Sequence, residues 1–513
     1  MQHNYSSAAG TRRVFLDIDC LSRWDESEVF QRFPKADKVP VTGLESGPPG
    51  SWDARVASDY PTVLFEDGLF RMWYSCMPDA ESHAENADHG FVCYAESEDG
   101  LRWRKPDLGI TGQHRYPGNN LLTLPGFCMG VVRALPGSEH EYLAACVQIL
   151  PLEPDIADVP GNSFDGGGTF IFGSDDGLHW RQLARICRHG DNCTLFADVP
   201  AGRYLLYQKV GLMHGMHMRR SFIGLESRDG LHWEGYGGVN RWRECFVADD
   251  YDDLVSAQRG FCISDYYGAT VHRVGDLYVS IENVFTIGTP LVSYFGQNPA
   301  GLCHLRLGFS HDAMRWRHPA GRPPWLEVGL PGEFDAGFMA PGLNLLEHGD
   351  DMLLYYSGFL YRHGWCITPN FSLNRDIPLS EQRGTGMIGL ASIKRDRFAS
   401  LAATYKGRFE MDPDASGSPP TFVDPRWPQL YINARCPKGA IRVALARLGG
   451  KGDLPGFSFD DCVPFTGDCV RAPVRFKNAS TADIPPDRPF YLRFEVSRGE
   501  IFGCEWGERS GEP

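Results

Sequence analysis

Long apolar runs are what this 513-residue chain most plainly lacks. No segment approaches the roughly 20 apolar residues that a membrane span needs, so no membrane partner is expected. The opening MQHNYSSAAGTRRVFLDIDC has arginines but no apolar stretch after them to act as a secretion signal. A cytoplasmic location is the expectation. Positive charge is also short, with 50 Lys and Arg against 65 Asp and Glu and a formal net charge of −15. A negative surface disfavours nucleic acid as a partner. The 15 cysteines form no CxxC pair and no zinc-like spacing. No metal and no cofactor is therefore expected, and the thiols are read as reduced and mostly buried.

Helical periodicity is scarce as well. In its place stand 58 Gly, 36 Pro and 12% aromatic residues, which punctuate short runs of Val, Tyr, Phe and Trp. That mixture suits many short strands joined by tight turns. The fold class is read as all-β.

One internal repeat organises those strands. Ser97-Glu98-Asp99-Gly100-Leu101-Arg102-Trp103 recurs as Ser174-Asp175-Asp176-Gly177-Leu178-His179-Trp180 and as Ser227-Arg228-Asp229-Gly230-Leu231-His232-Trp233. Ser310 to Trp316 and Ser392 to Phe398 are degenerate copies. Asp-Gly supplies a turn with positive φ, which glycine adopts without steric cost. The Trp then begins a return strand and packs between sheets. Five hairpins at this spacing fit the outer halves of five propeller blades. The Asp of each copy is structural, because a fold element repeats and an active site does not. Inner halves are also legible, with turns at Asp67-Gly68, Pro136-Gly137, Pro200-Ala201-Gly202 and Gly275-Asp276, and a last one between Asn344 and Tyr356. From about residue 404 the pattern changes to half-buried alternation in Leu430–Ala434, Ala440–Leu445, Val470–Phe476 and Phe490–Val496. The expected organisation is an N-terminal segment over 1–48 with at least one strand, a five-bladed β-propeller over 49–403 and a C-terminal β-sandwich over 404–513.

Phe70-Arg71-Met72-Trp73-Tyr74-Ser75, Leu354-Tyr355-Tyr356-Ser357-Gly358 and the hairpin copies resemble the five-bladed propeller glycoside hydrolases, the superfamily of invertases, arabinanases and β-mannoside phosphorylases. Gly389-Leu390-Ala391-Ser392 and Pro455-Gly456-Phe457-Ser458 extend the resemblance to uncharacterised bacterial proteins with a family 32-like N-terminal domain. The invertase motifs Asn-Asp-Pro and Arg-Asp-Pro are absent, and Arg243-Glu244-Cys245 echoes only the third motif, outside its usual flanks. The resemblance implies carbohydrate chemistry in a central funnel, without specifying the reaction.

In such propellers the innermost strand of each blade begins at the funnel mouth. Gly50-Ser51-Trp52-Asp53-Ala54 and Gly332-Glu333-Phe334-Asp335-Ala336 are near copies, each with its Asp 21 residues before a matching tyrosine, Tyr74 or Tyr356. Blades one and five adjoin in a closed ring, so Asp53 and Asp335 are candidates for the carboxylate pair that glycoside cleavage uses. Asp265, at the start of the fourth blade, is a third catalytic candidate, beside an acidic run at 249–253 read as a solvated loop. Candidate substrate contacts are Trp52, Arg71, Asn120, Asp191, His272, Glu282 and Glu333. The expected function is hydrolysis of a small or oligomeric carbohydrate by paired carboxylates. A glycoside phosphorylase, with Arg55, Arg133 and His272 as its phosphate clamp, and a non-catalytic sugar-binding propeller are the alternatives. The partner expected is a small carbohydrate, and self-association is left open.

Overall fold

A computed structural model describes residues 12–25, 27–48, 50–54, 60–76, 91–110, 116–125, 127–148, 168–187, 192–214, 217–235, 243–288, 301–360, 362, 386–411, 420–450 and 452–509. Five separate antiparallel sheets follow one another along the chain, and their first strands are neighbours around a common axis. Blade one runs outward through Thr62–Glu66, Leu69–Cys76, Phe91–Ser97 and Leu121–Pro125. Blade two is Phe127–Arg133, Tyr142–Gln148, Gly168–Ser174 and Arg181–Cys187. In blade three, Cys193–Asp198, Arg203–His214 and His217–Ser227 are edged by Glu234–Gly235 and Arg243–Phe246. Ile263–Val274, Leu277–Ile287, Gly301–Ser310 and Pro324–Leu326 make blade four. Blade five is Phe338–Pro341, Asp351–Phe359 and Gly386–Lys394, closed by Asp37–Pro40 from the N-terminal segment. The ring is therefore shut by a strand that precedes blade one in sequence.

The repeated hairpins bind blade to blade. In the second copy, Ser174 Oγ accepts from Gly177 N at 2.9 Å, and Asp176 Oδ1 accepts from Leu178 N and His179 N, both at 2.8 Å. These bonds hold the Asp carboxyl well below its ordinary pKa, against the opposing effect of burial. Gly177, at φ +76°, presents its carbonyl to its own Trp180 (3.1 Å) and to Trp73 of blade one (2.8 Å). Tyr355 of blade five likewise donates to Gly100 O at 2.9 Å, and Tyr207 of blade three to Ala313 O at 2.7 Å. The return strand expected after each Trp is complete in blade two. In blades one and four it shrinks to single bridges, Glu96 with Arg104 and Phe309 with Arg317. Those outer edges come instead from Leu121–Pro125 and Pro324–Leu326.

The C-terminal strands Ser400–Glu410, Gln429–Ala446, Phe465–Pro473 and Tyr491–Gly507 join Arg12–Val14, Arg23–Trp24 and Phe30–Arg32 in one seven-stranded sheet. A β-sandwich is the expectation here, and hydrogen bonding links all seven strands in one network. The runs read as separate strands at 430–434 and 440–445 are one 18-residue strand with a register shift between Arg435 and Ala440. The acidic run at 249–253 is also not a loop. It opens the helix Asp250–Gln258, where Asp249 and Asp252 form a reciprocal capping box. Among the described residues no helix is long and apolar enough to cross a membrane.

Candidate functional site

Four blades meet at Tyr267. Along Ile263–Val274, Asp265 pairs with Phe285 and Tyr266 with Val284, and then the register shifts so that Gly268 pairs with Asn283. Tyr267 is the extra residue of this bulge, a device that re-aims a side chain. Tyr266 therefore packs against Arg306, and Tyr267 faces the axis, where Asn192 Nδ2 of blade three donates to its carbonyl at 2.9 Å. Tyr60 OH, from the start of blade one, donates to the same carbonyl at 3.3 Å. Phe338 of blade five meets the Tyr267 ring edge-on at 5.6 Å. A Cβ on Gly268 would stand 3.2 Å from the Tyr60 ring, so glycine permits the approach. Tyr60 itself holds φ +62°, a costly backbone for a bulky residue that calls for a functional explanation.

Two cations flank this aromatic floor. Lys209 Nζ lies 3.9 Å from the Tyr267 ring centroid and the Arg220 guanidinium carbon 5.5 Å from it. Arg220 also donates to Asp265 Oδ2 at 3.2 Å. Asp265 has no exposed surface, and its Oδ1 has no hydrogen-bond partner among the described residues. Burial raises its pKa above the ordinary carboxylate value, and Arg220 pulls the other way. A carboxyl of raised pKa holds its proton more tightly than an exposed one does.

Asp53 and Asp335 are buried too, and Asp335 Oδ1, like Asp265 Oδ1, has no hydrogen-bond partner among the described residues. Asp53 Oδ2 accepts from Lys105 Nζ at 2.7 Å, and its Oδ1 accepts from Ser51 Oγ at 2.7 Å. Asp335 Oδ2 accepts from Lys38 Nζ at 2.7 Å and from Tyr356 OH at 2.9 Å. Both aspartates lie on connectors that return from an outer strand to the next inner strand, and each is paired with a lysine. Among the described residues no hydrogen bond or ion pair joins them to each other. Trp52 Nε1 donates to Asn120 Oδ1 at 2.8 Å, and Asn120 Nδ2 donates to Tyr74 OH and Tyr94 O, so this pair anchors the blade-one connector. Glu333 is exposed and caps the turn at Leu330 N.

Arg71, Glu282 and His272 belong to packing rather than to the floor. Arg71 is wedged between blades one and two, bonded to Tyr94 OH, Tyr142 OH and Glu66. Glu282 is fully buried against Arg306 and His318, which hold its pKa down at about 2 although burial works against them. His272 lies seven residues beyond Asp265 on the same strand, about 23 Å at strand rise. It therefore sits at the far end of the blade, near Arg12 and Glu347, where burial lowers its pKa to about 4. Arg133 is paired with Glu66 and Glu141, so it and His272 do not assemble a clamp. Asp191 and Arg55 lie outside the described residues; Asn192, next to Asp191, touches the floor.

The floor residues that sequence reasoning missed are Tyr60, Lys209, Arg220 and Tyr267. Tyr267 stands two residues after the candidate Asp265. Lys209 and Arg220 carry no local signal, because only the pairing of two long blade-three strands and the closure of the ring bring them to Asp265.

No protein-family model matches the chain, and no curated protein does either. Solved structures do. The chain is similar to carbohydrate-active proteins. One is an N-acetylgalactosamine deacetylase from F. plautii in complex with blood group B trisaccharide, 16% identical over 70% of this chain and 96% of that one, with a TM-score of 0.44. Another is a thermostable family-43 glycoside hydrolase, 11% identical over 68% and 92%, with a TM-score of 0.41. A third comes from the GH130 family of mannoside phosphorylases, described as containing hydrolases of β-1,2 mannosidic linkages, and is 13% identical over 77% and 97% with a TM-score of 0.40. At that distance the blade count rests on the chain's own hydrogen bonding.

Proposed function

We propose that this protein is a carbohydrate-processing enzyme, a glycoside hydrolase, with Asp265 as its proton donor on a floor made by Tyr267, Lys209 and Arg220. The observation that carries the reading is the buried Asp265 carboxyl, in contact with Arg220 and two residues before Tyr267, on which residues of blades one, three and five converge. A protonated carboxyl there can protonate a leaving glycosidic oxygen, and the Tyr267 ring offers a face on which a sugar can stack. Phosphorolysis is the second reading, favoured by two cations beside one acid, since that reaction needs a carboxyl and an anion site.

Both readings are tested by one assay: turnover of aryl glycosides and natural oligosaccharides, with and without inorganic phosphate, by wild type, Asp265→Asn, Asp53→Asn and Asp335→Asn. Loss of a general acid costs about 10²–10⁴ in rate, and that is the loss expected for Asp265→Asn. The other two variants are expected to lower thermal stability and keep most of the rate. Full activity in Asp265→Asn would sink the assignment, and a dead but folded Asp53→Asn or Asp335→Asn would restore the paired-aspartate reading. Turnover only with phosphate would select the phosphorylase.

A further inference from the structure

The single α-helix among the described residues, Asp250–Gln258, grips the peptide that leads into Asp265. Asp253 Oδ1 accepts from Ser264 N at 2.9 Å, on one side of the residue before Asp265. On the other side, Arg219 Nη1 donates to Ser264 O at 3.0 Å. Arg219, itself buried, is locked to Asp253 by a two-pronged pair at 2.8 and 2.6 Å. The Ser264 hydroxyl completes the grip with the Asp252 carbonyl at 3.1 Å and Ser256 Oγ at 2.5 Å. Neighbouring side chains of a strand point to opposite faces. Arg219 thus reaches the helix, and the adjacent Arg220 reaches Asp265 itself. The helix is fixed in turn by Arg306 and Arg322, which pair with Asp252, and by Arg322 again at Asp249.

We infer that Asp253 is a positioning residue: through Arg219 and the Ser264 peptide it sets where the Asp265 carboxyl stands on the funnel floor. This rests on the reading of Asp265 as the proton donor. The charged groups facing the clamp are Arg219 and Arg220 from blade three, Asp265 from blade four, and Asp250 and Asp253 from the helix. With Asp253 replaced by a neutral residue, the Arg219 charge loses its paired carboxylate and bears more fully on Asp265 and Asp250. That charge stabilises the ionised carboxylate, so the Asp265 titration midpoint falls.

The test compares whole protein, Asp253→Asn and the conservative Asp253→Glu, with Arg219→Lys in reserve if Asp253→Asn does not fold. Three readouts are taken. Amide exchange at Ser264 is expected to quicken at least tenfold in Asp253→Asn. The Asp265 midpoint, followed in carboxyl-labelled aspartate spectra with Asp265→Asn as the assignment control, is expected to move down. On whichever aryl glycoside wild type turns over, kcat is expected to fall about tenfold with KM within twofold, and Asp253→Glu to recover most of the loss. A variant whose Asp265 midpoint and kcat match wild type overturns the inference, even if exchange is faster. Should wild type turn over nothing, the enzyme reading fails by itself, and the midpoint alone decides: a fall keeps the clamp, no change overturns it.

Discussion

Asp396 shows how one residue can be held against its preference. It closes the last hairpin copy at φ +62°, buried beside Arg12 and Glu347, and burial lifts its pKa to about 6 although Arg12 opposes the rise. A carboxyl whose folded pKa exceeds its unfolded one binds its proton more tightly when folded. Stability therefore falls as pH rises from about 4 to 6, and the cost persists above that window. Asparagine accepts the left-handed backbone and carries no charge. Asp396→Asn is expected to stabilise the protein at pH 7.5 by roughly 1–3 kcal/mol, less whatever the Arg12 ion pair contributed, and to gain nothing at pH 4. Denaturant midpoints at the two pH values check this, and a variant no more stable than wild type at pH 7.5 refutes it. Asp53 and Asp335 look alike in sequence and have like surroundings, each buried and paired with a lysine, Lys105 or Lys38, at 2.7 Å. Asp265 pairs with an arginine, Arg220, instead.

At the scale of elements, the Asp-Gly turns owe their recurrence to contacts between blades as much as to local turn chemistry. Gly68 and Gly177 have similar backbones, at φ +81° and +76°, but a Cβ on Gly68 meets open space. On Gly177 it would lie 2.9 Å from both Trp73 Cζ2 and Arg71 Nη2 of the neighbouring blade. Gly68→Ala is expected to cost about 1 kcal/mol, the price of the left-handed backbone alone. Gly177→Ala is expected to cost 2 kcal/mol or more, because the tryptophan must also shift. Equal losses in thermal unfolding would mean that the turn does not register the blades. The turns themselves were readable from composition and spacing. The outer edges of blades one and four were not, because nothing local marks which distant segment completes a sheet.

For the whole molecule, the N-terminal segment does more than its position suggests. It supplies Asp37–Pro40 to close blade five and three strands to the C-terminal sheet, and Asp17 accepts an ion-pair contact from His311 of blade four at 2.7 Å. Removing residues 1–41 opens the ring and exposes the edge of blade five. The truncated protein is expected to lose its cooperative thermal transition, followed by far-ultraviolet circular dichroism. A transition at the wild-type temperature would show that the ring closes without the strand.

Local chemistry was enough to determine the all-β class, the repeated turns of the first four blades, the inner turns and the structural role of the repeated aspartates; the fifth copy leads instead from blade five into the C-terminal sheet. Each depends on residues close in sequence, where turn geometry and alternation act directly. Tertiary structure alone brought Arg220 to the buried Asp265 carboxyl, because burial and long-range pairing are properties of surroundings that several blades build together. It also decided that the acidic run at 249–253 caps a helix, and that the C-terminal strands bond in one sheet with the N-terminal segment. Long-range pairing leaves no local trace in a chain, and so Lys209, Arg220 and the Asp253–Arg219 clamp came into view only in the closed ring.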